Sequence, residues 1–325
     1  MSPSPIGTPR AGARSAVPLS GLHFSLVGSG AVGQSLAAWI VAAGGTLRQV
    51  AGRPGSTGLG SFAQRLGLPA LDTRELTSRS EELLLIAVPD GALADVADTL
   101  AARPQAAVAL HVSGVAAAEV LDPLRAAGAA IGGLHPLRAF PAPETDVAQA
   151  AGVFFALDGD PAAVALGQRL ASAFGGSSAV VPADQRALYH LVATLMAGAV
   201  TTVAAVAMEI AARSGLPGEV RPGFARLATD ALAKALAQAD PAAAITGPAA
   251  RGDRATFLHE LAALAATAPE AVPVVVALAR ESLRQRARWS APDPPRQALA
   301  DLLARTDLLD LTKDRVLTSK IKPSG

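Results

Sequence analysis

The amino-acid sequence predicts a doubly wound α/β domain, with a mostly parallel sheet, followed by an all-α domain. Three observations carry that reading. Between Leu22 and Leu157, short apolar runs alternate with helical stretches. Several of those runs are apolar throughout rather than alternating, as strands buried on both faces are. From Asp184 to Arg288 no run reads as a strand, and the chain turns Ala- and Leu-rich.

The predicted strands are Leu22–Val27, Thr46–Ala51, Leu83–Val88, Ala107–Val112, Ala129–Leu134 and Gly152–Leu157, with a further short run at Ala179–Val181. Each is bounded by Gly, Pro, Ser or Asp. Helical segments such as Gln34–Ala43 and Ala92–Ala102 lie between them. In the second half, breaks fall at Ser214–Pro217, Ala239–Pro241 and Ala268–Pro269, where Gly or Pro stops a helix. Ser290–Pro295 reads as a linker before a short helix at Pro295–Arg305 and a polar tail. The expected organisation is a disordered lead-in over 1–20, the α/β domain over 21–182, the all-α domain over 183–289, and linker, helix and tail over 290–325.

Composition narrows the function. At 325 residues, half of them apolar, the chain can bury two cores. Its net charge is +1 with scattered Lys and Arg, which argues against nucleic acid as a partner. It has no Cys, and its five His are unclustered, so disulfides, a Cys nucleophile and a bound metal are not expected. Met1–Ser20 lacks the apolar core of a signal peptide. Leu191–Met208 is free of charge, but its Ala, Val, Thr and Gly insert weakly and no aromatic belt or basic flank frames it. A buried helix is expected there rather than a membrane span, and the protein is expected to be cytoplasmic.

The run Leu22–Val27 leads directly into Gly28-Ser29-Gly30-Ala31-Val32-Gly33 and then a helix. A GxGxxG string has mechanical meaning in that context, which is the head of a Rossmann-type βαβ unit. Gly28 permits the tight turn, Gly30 the approach of a pyrophosphate, and Gly33 close packing of helix on strand. The helix N-terminus offers unpaired N–H groups to the phosphates. After the second run an NAD site would place Asp or Glu to hold the ribose hydroxyls. This chain has Arg53-Pro-Gly-Ser56-Thr57 instead. Arg53 can pair with a 2′-phosphate and Ser56 or Thr57 can donate to it, so NADP (NADPH) is the expected cofactor. Val88 and Pro89, closing the third run, fall beside the dinucleotide crevice, and Asp90 serves equally well as a helix cap.

These motifs, together with His111-Val-Ser113-Gly114, Gly133-Leu-His135-Pro136-Leu-Arg138, Ala187-Leu-Tyr189-His190 and Thr246-Gly-Pro-Ala-Ala-Arg251-Gly-Asp253, resemble a family of bacterial Rossmann-like proteins. The C-terminal helical region of that family is a domain of unknown function. The resemblance covers roughly Leu22 to Arg288. The family is similar to the deazaflavin-dependent NADP reductases, pyrroline-5-carboxylate reductase, ketopantoate reductase and 6-phosphogluconate dehydrogenase. The resemblance implies an α-helical dimerisation domain, a site in the interdomain cleft, and an NADP-dependent oxidoreductase without an assigned substrate.

Under that reading the cofactor carries the hydride, and the protein orients a small, carboxylated metabolite and manages one proton. His135 is the leading proton-transfer candidate, because imidazole titrates near neutral pH and Pro136 stiffens its loop. A similar His-Pro pair occurs in prephenate dehydrogenases. Tyr189 and His190 open the long helix expected to line the cleft. Ser113 is a candidate for the carboxamide or the substrate, or else part of a plain turn. Arg138 is a candidate carboxylate clamp. Thr246 and Arg251 either cover the substrate or merely join two helices, with Asp253 as N-cap. His111, inside a strand, reads as structural. Two departures from the family stand out: Arg186 where a Lys is expected, and Ala197-Gly198 where a Ser-Asn pair is expected. The loss of that amide raises an alternative, a non-catalytic NADP(H)-binding sensor or partner of a biosynthetic complex. Apolar runs at Leu191–Met208 and Val274–Ala279 point to a homodimer.

Overall fold

A computed structural model describes residues 19–53, 55–77, 83–103, 106–291 and 293–305. The expected polar tail and all but the last two residues of the expected lead-in lie outside the described residues. The chain forms two compact units that divide between Ala199 and Val200.

The first unit is built on one eight-stranded sheet, with strands β1 (His23–Val27), β2 (Thr46–Gly52), β3 (Ala70–Asp72), β4 (Leu83–Ile86), β5 (Val108–His111), β6 (Ala130–Pro136), β7 (Phe154–Gly159) and β8 (Ser177–Val180). Their order across the sheet is β3-β2-β1-β4-β5-β6-β7-β8. Every pairing is parallel except β6 with β7, where Leu134 faces Leu157 in antiparallel register. Strand β3 is an addition to the sequence reading. It is three residues long with no fully buried position, so it carries no hydrophobic run to detect.

Helices α1 (Ala31–Ala42), α2 (Thr57–Arg65), α3 (Leu93–Ala101), α4 (Asp122–Ala126) and α5 (Pro161–Ala173) cover both faces. Alternate residues of β4 show why its run is apolar throughout. Leu83 and Leu85 join a core with Trp39 and Ile40 of α1 and Leu170 of α5, whereas Leu84 and Ile86 join a core with Ala97 and Leu100 of α3. A strand buried on both sides has no polar face to display. Helix α6 (Arg186–Thr194) closes the unit, followed by one π-helical turn at Leu195–Ala199.

The second unit contains α7 (Val200–Arg213), α8 (Val220–Leu236), α9 (Pro248–Arg251), α10 (Arg254–Thr267), α11 (Val272–Trp289) and α12 (Pro294–Arg305). No strand occurs among its described residues, as the sequence predicts. Its core joins Phe257, Leu261 and Leu264 of α10 to Val276 and Leu283 of α11 and to Leu299 and Leu303 of α12. Helix α12 is therefore part of the core, and Arg280 donates from α11 to the Leu303 carbonyl.

Helical structure continues from Ala183 to Arg213, and this stretch is long and apolar enough to cross a membrane. The expectation of a buried helix at Leu191–Met208 fails in the single chain. None of the most apolar stretch is buried, and Leu191, Val192, Leu195 and Val203 are all exposed.

Candidate functional site

Strands β1, β2, β4, β5 and β6 run parallel, so the segments that follow them emerge at one edge of the sheet. The order reverses between β1 and β4, the point where open α/β sheets bind ligands.

The glycine loop fits a dinucleotide. Gly28 has φ +102°, and a Cβ there would collide with the Ala87 carbonyl oxygen. At Gly33 a Cβ would meet that of Ala87 at 2.9 Å, which explains the need for glycine where α1 crosses the sheet. Gly30 faces open space instead, so its backbone is free for a ligand to approach. No side chain caps α1 and no acid occupies its first turn, so the N–H groups of Ala31, Val32 and Gly33 are available to an anion. Gln34 closes the loop by donating to the Ser29 carbonyl at 2.7 Å. Arg53 directly follows β2 and is exposed, and Ser56 precedes α2. Val88 and Pro89 follow β4, and the side chain of Asp90 caps no helix.

The second half of the site is a cluster of aromatic polar side chains. Nδ1 of His135, near the end of β6, lies 2.9 Å from the Tyr189 hydroxyl on α6, with the two rings edge to face. The His190 ring stands 6.1 Å from that of His135. Both imidazoles press on Gly114, where a Cβ would meet His190 Cδ2 at 2.5 Å and His135 Nε2 at 2.8 Å. The structure therefore brings together all three residues singled out for proton chemistry, and makes room for them with a glycine after β5.

Beneath the cluster lies an ion pair that the sequence reading did not find. Arg186 of α6 has no exposed surface, yet its Nη1 lies 3.3 Å from Asp158 Oδ1 on β7, and its Nη2 donates to the Ser113 carbonyl at 2.6 Å. Asp158 Oδ2 accepts from the Ala118 N–H at 2.9 Å. Gly133, facing Asp158 across the β6–β7 pairing, leaves the space for this carboxylate. Burial pushes the Asp158 pKa up, and Arg186 opposes part of that rise. Burial, with the Arg186 charge second, lowers His111 and His135 from 6.5 to about 4 each. Burial also raises the Tyr189 phenol, so it keeps its proton. The signal for Asp158 was present in the sequence as an acid directly after the run Gly152–Leu157. A strand end is an ordinary place for Asp, however, and only the pairing with Arg186 gives it meaning.

Other candidates have local duties. The Ser113 hydroxyl accepts from the N–H groups of Val115 and Ala116, which is the plain-turn reading. His111 is buried and accepts from the Ser113 N–H, as expected of a structural histidine. Arg138 is committed to its own loop, with Glu144 at 2.8 Å and the Gln149 carbonyl at 3.0 Å, so its guanidinium already has a carboxylate partner. Thr246 and Arg251 are exposed residues of the second unit, in a helix junction that Asp253 caps by accepting from the Thr256 N–H at 3.1 Å. Ala197 and Gly198 fall in the π-helical turn.

Residues 10–136 match a Rossmann-like domain, and residues 153–282 match the domain of unknown function DUF2520. That second match begins inside the first compact unit, at β7. No curated protein matches the chain. Among solved structures, a Bacteroides fragilis protein proposed to be an NADP oxidoreductase shares 20% identity at a TM-score of 0.67, over 80% of this chain and 97% of that one. An imine reductase from Myxococcus stipitatus, solved with NADP+, shares 16% identity at 0.61, over 85% and 98% of the two chains. A Thermotoga maritima protein shares 17% identity at 0.55, over 90% and 99%. Identities this low establish a shared fold. The chain is thus a Rossmann-like domain, a nucleotide-binding architecture, followed by a C-terminal DUF2520 domain.

Proposed function

We propose that this protein is an NADP(H)-dependent oxidoreductase acting on a carbonyl, imine or alcohol centre. The observation that carries the reading is the His135–Tyr189 pair, with His190 beside it, at the same edge of the sheet as the uncapped glycine loop. Gly28, Ser29, Gly30, Ala31, Val32 and Gly33 would hold the pyrophosphate, Arg53 and Ser56 the 2′-phosphate, and Val88, Pro89 and Ser113 the approach to the nicotinamide. The bound nucleotide supplies or accepts a hydride. The chain's own residues manage the proton. In the tautomer in which Tyr189 donates to Nδ1 of His135, the ring's proton is on Nε2, the nitrogen beside Gly114. A neutral imidazole in that position donates a hydrogen bond to the substrate's oxygen or nitrogen, and Tyr189 and His190 stand ready to relay the proton.

The carboxylate-clamp role expected of Arg138 is not carried forward, because Glu144 already occupies it. A second reading, a nucleotide-responsive sensor, draws support from the π-helical turn. Its residues Leu-Met-Ala-Gly-Ala present no polar side chain.

The chain is also proposed to form a homodimer. Leu188 is 68% exposed on α6, and α7 and α8 carry an open apolar groove of about 540 Å³ lined by Met208, Leu216, Phe224 and Leu227. A monomer by light scattering at micromolar concentration would overturn this.

Titration calorimetry with NADPH and NADH tests the cofactor. Tight NADPH binding that weakens at least tenfold in Arg53→Ala, on the order of the energy of one charge-assisted contact, supports the reading. No binding of either nucleotide refutes it. Nicotinamide absorbance with oxo acids and imines then separates enzyme from sensor.

A further inference from the structure

We propose that Arg186 is a positioning residue of this site, a buried cation that, with Asp158, fixes the Ser113–Gly114 turn against the His135 ring and sets how that ring works. The proposal rests on the oxidoreductase reading for its use, but its physical content can be tested apart from it.

Three contacts carry the geometry. Arg186 holds the Ser113 carbonyl, Asp158 holds Arg186 from β7, and the next residue after Ser113 is the glycine on which His135 and His190 close. The turn, the ion pair and the imidazoles form one packed unit, so a shift of the guanidinium moves the wall of the site. Burial makes the arrangement demanding. Nη1 of Arg186 meets Oδ1 of Asp158 at 3.3 Å outside good hydrogen-bond geometry, so that contact is held chiefly by charge. A buried ion pair is a costly way merely to fill a core, and an apolar pair of similar volume is often at least as stable.

Its electrostatic consequence is specific. The groups acting on His135 are Arg186 and His190 of α6, which oppose a positive imidazole, and Asp90 after β4, which favours one. His111 on β5 feels the same positive charge and, more weakly, that of His135. Asp158 neutralises Arg186 in part, while Tyr189 stays protonated. The cation thus adds to burial in keeping His135 uncharged through the neutral range. An uncharged ring can accept from Tyr189 at one nitrogen and donate at the other, whereas an imidazolium would donate at both and lose the Tyr189 proton as a partner.

The test is the titration of His135 by NMR in the full chain, where only five imidazoles contribute. His135→Asn assigns the signal. In the unaltered protein the His135 midpoint should lie far below the ordinary imidazole value. Removing the cation with Arg186→Met should raise it by about one pH unit or more, the size of effect a charge within several ångströms produces. Arg186→Lys should keep it low. Asp158→Asn should also keep it low while lowering thermal stability, which separates the charge effect from loss of fold. If Arg186→Met does not fold, the double variant Arg186→Met/Asp158→Asn removes both buried charges and should show the same rise. An ordinary midpoint in the unaltered protein, or an unchanged one in the folded variant lacking the cation, overturns the proposal. NADPH calorimetry on the same samples keeps the two readings apart. Failure of the unaltered protein to bind nucleotide sinks the oxidoreductase reading, whereas the His135 shift alone decides the role of Arg186.

Discussion

Acidification from pH 7 to pH 5 should strip about 2–3 kcal/mol from the first unit, through its buried histidines rather than its exposed carboxylates. His111 and His135 are both held to about 4 in the folded chain, against 6.5 when exposed. A folded pKa depressed in this way gives stability that is present above pH 6.5 and lost as the pH falls through 4, because unfolding lets the ring take up a proton. Linkage gives about 2 kcal/mol lost per histidine between pH 7 and 5, and about 3 by pH 4. The two rings are coupled, so the joint loss is smaller than twice either value. Asp158 works in the opposite sense. Its raised pKa gives stability that is present below 3.8 and lost as the pH rises through the folded value, so on acidification it returns part of the loss. A net loss of about 2–3 kcal/mol by pH 5 is a large share of the stability of an ordinary domain.

The assay is urea unfolding followed by fluorescence. Trp39 is fully buried in the first unit, between Phe140 and Phe174, while Trp289 of the second unit is 49% exposed. A Trp289→Phe background therefore isolates the first unit. His111→Asn should remove about 2 kcal/mol of the pH dependence, since an amide does not titrate. If the unfolding free energy at pH 5 stays within about 1 kcal/mol of its value at pH 7, the burial argument for both histidines is wrong.

Three further outcomes are expected. Gly28→Ala should cost about 1–3 kcal/mol in urea unfolding, through a positive φ and a collision with the Ala87 carbonyl, and should weaken nucleotide binding. Gly114→Ala should leave nucleotide affinity near its original value by calorimetry but displace the His135 and His190 resonances, because its methyl group would enter the space where the two rings meet. Leu303→Ala should destabilise the second unit by about 2–5 kcal/mol, read by Trp289 fluorescence in a Trp39→Phe background. A loss under about 0.5 kcal/mol would mean that α12 does not belong to that core.

How much of this was legible in the sequence follows from the range of the forces involved. The alternation of apolar runs with helices, the glycine loop and the strand-free second half depend on neighbours a few residues apart. Local steric and burial rules read them directly: Gly28 and Gly33 stand where α1 crosses the sheet, and Pro and Gly break the helices near 215, 240 and 268. His135, Tyr189 and His190 were legible as chemistry-bearing residues beside recognisable turns. Their meeting was not, because 54 residues separate His135 from Tyr189. The antiparallel turn of β7 against β6 and the short β3 also lack a local signature. The roles of the charged residues were the least legible. Arg138 reads in the sequence as a carboxylate clamp but is paired with Glu144, and Arg186 reads as a departure from the family's Lys but is paired by burial with Asp158. A charge acts through whatever lies within several ångströms of it in space, and only the tertiary structure decides which residues those are.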